Sequence, residues 1–497
     1  MKRNPSTHRV VVTDFIRRHL VLITILIVGG ALWSLVFTQA TIDFLQGGAR
    51  PFRASWVGIG DFNLFGLTIH YDFEGWSDYD YYYLSWSENF LNGIMPYTDE
   101  FNSIVIDSTT FETPYFLPPL FVYLCAAGTY LSSSPFGVGF LITAFGFLTA
   151  IPVYGSAAAL SNNSRVGHIA AVTYLFNPVV LYYSAYQWLN PAPFVFFMML
   201  SFNLLITQHR TSGVLTIAAS ALMKQIAFFL AIPMVAYLIK KPSRPDDDGP
   251  VMDEKGRLVS DSIDIRSLIK ASVQVLLFVG ALSCPYLLDP SNYLYYILQR
   301  PGATLLEDVT VLPDTNLPVT FVVLLILVGA PEWLAQLVNL ATFYSVLLLV
   351  GVCAALLLML FEVKDDRDLA GYWRRMLFYT LLLLLWVHLF SPRGIYKYYC
   401  VALIPLFCIL STHSMLTKGT EEVRPSLFMV INPFLISIAI MLPSRYVYLS
   451  LLLIIMLSYI LHKQFAIVHG LLNGASHQLV RRLCTGITYA IRRSEVP

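Results

Sequence analysis

VLITILIVGGALWSLVFTQA, residues 21–40, is twenty residues without a charge. That is the length an α-helix needs to cross the ~30 Å hydrocarbon core of a bilayer. The basic segment MKRNPSTHRVVVTDFIRRHL precedes it. A secretory leader fits the charge, but the apolar run is long and lacks a small-residue cleavage site, so the sequence predicts a retained first helix. Arg17 and Arg18 at its start predict a cytoplasmic N-terminus. The remainder repeats this character. Of 497 residues, 56% are hydrophobic and 13% charged, more apolar surface than a soluble protein can hide. The formal net charge of +1 says little, because in a membrane protein the distribution of charge matters more than its sum. Basic residues are scattered over short loops rather than gathered on one face, which argues against nucleic-acid binding. The six cysteines (Cys125, Cys284, Cys353, Cys400, Cys408 and Cys484) show no paired spacing and read as small core hydrophobes rather than a disulfide or metal framework.

Working outward from the first helix, residues 39–115 hold many acids but only Arg50 and Arg53 as strong bases, which predicts the external face. YFLPPLFVYLCAAGTYL (115–131) is short for a span and opens on Pro118-Pro119; it reads as an interfacial, juxtamembrane helix. Spans are expected at 136–158, 168–185 and 191–207. The run 213–239 carries Lys224 and Gln225 at its centre. It is too short for two crossings and generous for one, so two half-length helices meeting at Lys224 on the external side are expected. The polar stretch 240–267 reads as a cytoplasmic linker. Further spans are expected at 268–288, 335–361, 376–390, 395–412, 427–443 and 446–461, with 317–331 re-entrant or tilted. Residues 462–497 have apolar positions at helical spacing beside Arg481, Arg482, Arg492 and Arg493, as in an amphipathic helix on the inner surface. The expectation is an all-α polytopic membrane protein of about eleven to thirteen spans. One integral-membrane domain covers 1–461, a long first external loop (39–135) carries juxtamembrane helices, and both termini are cytoplasmic.

With this threading, four polar features fall on the external side: GWSDYDYYYLSW (75–86), YQWLN (186–190), Lys224, and SPRGIYKYY (391–399). Cations facing carboxylates in a membrane cavity suit transfer from an anionic lipid carrier. The cations neutralise a departing phosphate, an aspartate takes the proton of an incoming hydroxyl, and aromatic rings offer flat faces for sugars. Bland readings compete at each place. Asp78 and Asp80 can be a solvated acidic loop, Lys224 can snorkel to an interface, and Arg393 and Lys397 can anchor a turn to headgroups. Tyr396, Tyr398 and Tyr399 can be interfacial belt residues, and His388 a packed one.

The order Asp78-x-Asp80-Tyr81, Asn92-Gly93, Pro96-Tyr97, Tyr115 and Pro118-Pro119-Leu120 resembles the first external loop of GT-C membrane glycosyltransferases. These multi-span enzymes use polyprenyl-phosphate-linked sugars and include the dolichyl-phosphate-mannose-dependent mannosyltransferases. LFNPVVLYYSAYQWLNPAP, ALMKQIAFFLAIP and SPRGIYKYYCVALIP resemble later segments of the family in the same order. The resemblance implies a GT-C-like bundle and a hexosyltransferase of inverting type, with mannose the favoured sugar. It implies a lipid-linked donor, a glycolipid, glycan or protein acceptor, and neither a resident metal nor another cofactor. It makes Asp80, or Asp78, the catalytic base, with Asp80 slightly preferred. Lys224, Arg393 and Lys397 would hold the lipid phosphate. Tyr81, Tyr82, Trp86, Tyr97, Tyr115, Gln187, Asn190 and Tyr396 would contact sugar or acceptor. One departure is Asn190, which stands where many members carry an acid and cannot act as a base. The rival class is a secondary transporter or lipid-linked-sugar flippase, against which the absence of a second copy of the 78–120 pattern argues. "External" here means lumen, periplasm or cell exterior, so the membrane is plasma membrane or endoplasmic reticulum.

Overall fold

The computed structural model describes residues 5–461 apart from 49, 51–55, 65–66, 107, 133–134, 241–262, 300–304, 314–319, 363, 365–367, 395, 417–421 and 443. The expected tail helix over 462–497 and most of the linker after Lys240 lie outside them. Helix α1 runs Pro5–Gln46. A hairpin follows, β1 (Trp56–Leu64) and β2 (Leu67–Glu74). A π-helical turn, Tyr79–Tyr83, leads directly into α2 (Leu84–Leu91). A smaller hairpin, β3 (Ser103–Ile106) and β4 (Thr109–Glu112), precedes α3 (Pro119–Leu131). Next come α4 (Gly137–Leu148), α5 (Ala150–Ser161), α6 (Ser164–Leu175) and α7 (Pro178–Val180). A second π-helical turn spans Leu181–Tyr186, ahead of α8 (Pro191–Ile206) and α9 (Arg210–Met223). After a 3-10 stretch (Gln225–Leu230) the chain continues through α10 (Ala231–Leu238), α11 (Ile265–Ser283), α12 (Pro290–Leu294), α13 (Val322–Leu327), α14 (Glu332–Phe343), α15 (Val346–Phe361) and α16 (Leu369–Phe390). A 3-10 stretch over Lys397–Ala402 leads to α17 (Ile404–Ile409), α18 (His413–Leu416), α19 (Phe428–Met441) and α20 (Arg445–Ile460).

Among the described residues, four helical segments are long and apolar enough to cross a bilayer: His19–Gln46, Gly137–Ser161, Ile265–Leu288 and Leu369–Phe390. Two bent pairs, Ser164–Leu175 with Pro178–Tyr186 at 45° and Glu332–Phe343 with Val346–Phe361 at 67°, raise this to six when each is one span. Pro119–Leu131, Pro191–Ile206, Gln225–Leu238, Phe428–Met441 and Tyr446–Ile460 are apolar but shorter. A 16-residue helix rises ~24 Å, short of the ~30 Å core, so these need their neighbours to complete a crossing. The four, or six with the bent pairs, are fewer than the eleven to thirteen spans expected, with the five shorter apolar helices beside them. The protein is a helical, multi-span integral membrane protein.

The first external loop holds two hairpins beside its helices, and two expectations need correction. The register of the larger pairs Phe62 with Ile69, Gly60 with Tyr71 and Gly58 with Phe73 on one face, and Asp61 with His70 and Ile59 with Asp72 on the other. The run 335–361 is no straight span but two helices bent by 67°, with Ser345 in the left-handed region (φ 59°) at the joint. Residues 395–412 form a 3-10 stretch and the six-residue α17 rather than a crossing helix. Their apolarity serves burial, since Cys400 to Leu410 are all buried.

Helices α3 and α4 meet backbone to backbone at two glycines. A Cβ on Gly137 would lie 2.1 Å from the Gly128 carbonyl oxygen, and one on Gly128 would lie 2.7 Å from the Val138 backbone. Backbone cannot yield as a flexible side chain does. Gly137→Ala is therefore expected to destabilise by about 1–3 kcal/mol, read as a lowered thermal midpoint of the purified protein. An unchanged midpoint would mean that the two helices separate freely.

Candidate active site at the acidic helix and the lysine break

The acidic motif forms a helix that starts at Asp78. Asp78 occupies the N-terminal flank of the π turn and its side chain makes no capping bond. The helix ends at Asn92-Gly93, where Gly93 takes φ 83° and its N–H donates to the Phe90 carbonyl at 3.0 Å, a glycine stop. Arg50 clamps the exposed side, one guanidinium nitrogen lying 2.9 and 3.0 Å from the two carboxylate oxygens of Glu88. Beneath it lies Trp188, fully buried in the left-handed region at φ 55°. Its indole is held against Tyr79 (4.9 Å between centroids), Phe44 (5.6 Å) and Trp76 (5.9 Å). The Gln187 amide donates to the Gly75 carbonyl at 3.1 Å, so the second external loop and the acidic helix are pinned together.

Helical geometry separates the two aspartates. Residues two apart on an α-helix point about 200° away from each other. Asp80 is 1% exposed and Asp78 is half-buried. Asp80 acts on its neighbour Tyr79. Asp78 and Arg393 are the charged groups that act on Lys224, and Asp78 also acts on Tyr82, Tyr398 and Tyr399. Of the two expected carboxylates, Asp78 is the one that acts on Lys224, while Asp80 acts on Tyr79.

The expected break at Lys224 is present. Helix α9 stops at Met223, Lys224 is extended (φ −157°, ψ 139°), and 3-10 turns resume at Gln225. Its side chain is 5% exposed. The ammonium donates to the Asn190 side-chain amide oxygen and lies 4.0 Å from the Tyr399 ring centroid and 4.9 Å from that of Tyr398. Among the described residues it has no carboxylate in ion-pair contact. Snorkelling to an interface is the wrong description of such a side chain; the charge is held inside by ring faces and one amide oxygen. Arg393 is half-buried, its guanidinium 5.1 Å from the Phe116 ring centroid. Lys397 turns elsewhere and donates to the Leu442 carbonyl.

The aromatic candidates divide sharply. Tyr82 faces the cluster: burial first, then the negative charge of Asp78, pushes its phenol up to about 12, with Arg393 opposing. At neutral pH it stays protonated and can donate a hydrogen bond. Tyr396 stacks on Tyr398 at 5.7 Å beside it. The others are committed to the fold. Tyr81 donates to the Glu112 carbonyl, Trp86 to that of Thr113 at 2.7 Å, Tyr97 to that of Leu117 at 2.7 Å, and Tyr115 to that of Pro118 at 2.7 Å. Tyr97, at φ 68°, is held there by rings at Tyr115, Tyr286 and Tyr293. Gln187 spends its amide nitrogen on Gly75 and on the Tyr182 hydroxyl, and Asn190 its oxygen on Lys224. Sequence reasoning missed Phe116 under Arg393 and took Tyr398 and Tyr399 for belt residues; their adjacency to Lys397 masked a role in holding Lys224.

No protein-family profile and no curated protein matches the chain. Solved structures that resemble it in backbone include two of an archaeal enzyme. One is the crystal structure of the Archaeoglobus fulgidus oligosaccharyltransferase in the apo form, at TM-score 0.37 and 10% identity over 85% of this chain. The other is the archaeal oligosaccharyltransferase AglB from Archaeoglobus fulgidus in complex with an inhibitory peptide and a dolichol-phosphate, at TM-score 0.40 and 11% identity over 88% of this chain. The match spans 56% of each of those chains.

Proposed function

We propose that this protein is a membrane glycosyltransferase that moves a hexosyl group, mannose favoured, from a polyprenyl-phosphate donor to a hydroxyl acceptor on the non-cytoplasmic side. The observation that carries the reading is Lys224: a buried ammonium with no contacting carboxylate among the described residues, within electrostatic reach of Arg393 and Asp78. A buried cation of this kind is completed by an incoming anion, and a lipid-borne phosphate is the anion a membrane enzyme meets. In the reaction the acceptor oxygen attacks the anomeric carbon as the bond from that carbon to the phosphate oxygen breaks. Asp78 takes the acceptor's proton as general base. Lys224 and Arg393 stabilise the negative charge that gathers on the leaving polyprenyl phosphate, and Tyr82 donates to sugar or phosphate oxygen. Attack opposite the leaving group inverts the anomeric configuration.

The test is transfer by the purified protein in lipid from dolichyl-phosphate-mannose, dolichyl-phosphate-glucose and decaprenyl-phosphate-arabinose, followed as release of free polyprenyl phosphate. Release that depends on the protein and on an acceptor supports the reading; solute movement with no donor consumed supports a transporter. A related variant probes the phosphate site. Asn190→Asp would put a carboxylate against the Lys224 ammonium, a resident anion in place of the arriving one. A charge-assisted hydrogen bond of this kind is strong enough to raise the donor KM about 10–100-fold while leaving the protein folded. A donor KM equal to wild type would detach Lys224 from the phosphate.

A further inference from the structure

A line of tyrosine rings leads away from Lys224. Tyr398, on which the ammonium lies, is 6.4 Å from Tyr183, which is 5.0 Å from Tyr182. Tyr182 in turn stacks on Tyr186 at 5.7 Å with only 16° between the ring planes. The π-helical turn makes this pairing. Its wider winding closes a bond from the Gln187 N–H to the Tyr182 carbonyl at 2.8 Å and sets the two rings side by side, both half-buried. At the far end stands Asp43, in the last turn of α1. One carboxylate oxygen accepts from the Tyr186 hydroxyl at 2.7 Å and the other from the Gln39 amide at 2.7 Å. The Trp76 indole N–H donates to the Tyr186 carbonyl at 2.6 Å, two residues ahead of Asp78. The platform is thereby anchored to the acidic helix as well as to α1.

We infer that Tyr182, Tyr186 and Asp43 form a subsite for a saccharide unit of the acceptor, away from the reacting hydroxyl. The chemistry selects this class. Parallel phenol rings present an apolar face to the C–H face of a pyranose or furanose ring. A carboxylate with two donors already in place keeps further lone pairs for vicinal hydroxyls. A second phosphate is repelled by Asp43, and an acyl chain laid there offers no donor to that carboxylate's remaining lone pairs. The bond to Asp43 ties Tyr186 to α1, and the π turn with the Gln187 bond to the Tyr182 hydroxyl holds Tyr182 parallel to it, so the platform is formed before any ligand arrives. The inference rests on the glycosyltransferase reading for its word "acceptor"; the binding surface itself is independent of it.

The test is saturation-transfer NMR on the full chain in nanodiscs, without donor, using α-mannotriose, maltotriose, cellotriose and arabinotriose as probes. At least one trisaccharide is expected to bind. Its affinity should fall about tenfold in Tyr182→Ala and in Asp43→Asn, and recover in Tyr182→Phe. Thermal midpoints are measured for each variant, and Tyr182→Phe carries the comparison where Tyr182→Ala misfolds. Binding of none of the four overturns the subsite. So does binding indifferent to both substitutions, or saturation of the same rings by choline instead. Where donor turnover is also measured, the acceptor KM should rise in Asp43→Asn with the donor KM unchanged; equal rises in both make Asp43 only a structural tie and overturn it. A protein that binds trisaccharide through Tyr182 yet releases no polyprenyl phosphate would sink the transferase reading and leave the subsite standing.

Discussion

Asp78→Asn is expected to lower kcat by about 100- to 10,000-fold, the usual yield of a positioned general base, with the donor KM close to wild type. Asparagine keeps the shape of the side chain and removes the basic oxygen. Asp78 is half-buried, and a thermal midpoint measured beside the rate separates a folding defect from a loss of chemistry. Asp80→Asn provides the contrast. At 1% exposure, Asp80 is a buried member of the helix underside, and its replacement should lower folded yield and thermal midpoint more than turnover per folded molecule. The two measurements, rate per folded protein and midpoint, separate a base from a structural acid. Full turnover in Asp78→Asn, or loss confined to Asp80→Asn, removes Asp78 from the chemistry. Under a transporter reading neither substitution matters to lipid-linked sugar, because none is consumed by the wild type.

This contrast shows what the sequence could and could not carry. The position of the break at Lys224 was legible, because a charge amid apolar residues has few stable placements other than a broken helix facing a protein interior. The helical spacing of Asp78 and Asp80 was equally on the page. It became informative only once the segment was known to be a helix rather than a loop, and SDYDYYYLSW carries no apolar periodicity that says so. The π turns at Tyr79–Tyr83 and Leu181–Tyr186 have no local signature in the sequence; in the folded chain the rings of Trp76, Tyr79 and Trp188 pack against one another beside them. The larger hairpin was within reach, since residues 67–73 alternate side by side in the manner of a strand. Residues 395–412 show the opposite failure. A buried broken segment and a crossing helix are equally apolar, so only the folded chain distinguishes them.

Lys224→Met is expected to cost transfer about 100- to 1000-fold, the scale seen when one preorganised donor to a developing anion is removed, while leaving a folded protein. Methionine matches the length of the lysine stem and packs against Tyr398 and Tyr399 without a charge. Replacing a buried charge by an apolar residue of similar volume is often neutral or stabilising, offset here by leaving the Asn190 oxygen without its donor, about 1–3 kcal/mol. The thermal midpoint should therefore move little while the rate collapses. Product inhibition supplies the decisive second readout. Free dolichyl phosphate presents the same phosphate to Lys224 and Arg393, so its inhibition constant against residual turnover should weaken along with the rate. Arg393→Ala should weaken inhibition in the same direction, and the pair together by less than the product of the single effects, because one phosphate joins both cations. A Lys224→Met protein that retains wild-type inhibition by dolichyl phosphate would show that the buried ammonium serves packing, and would leave Arg393 as the sole cation of the phosphate site.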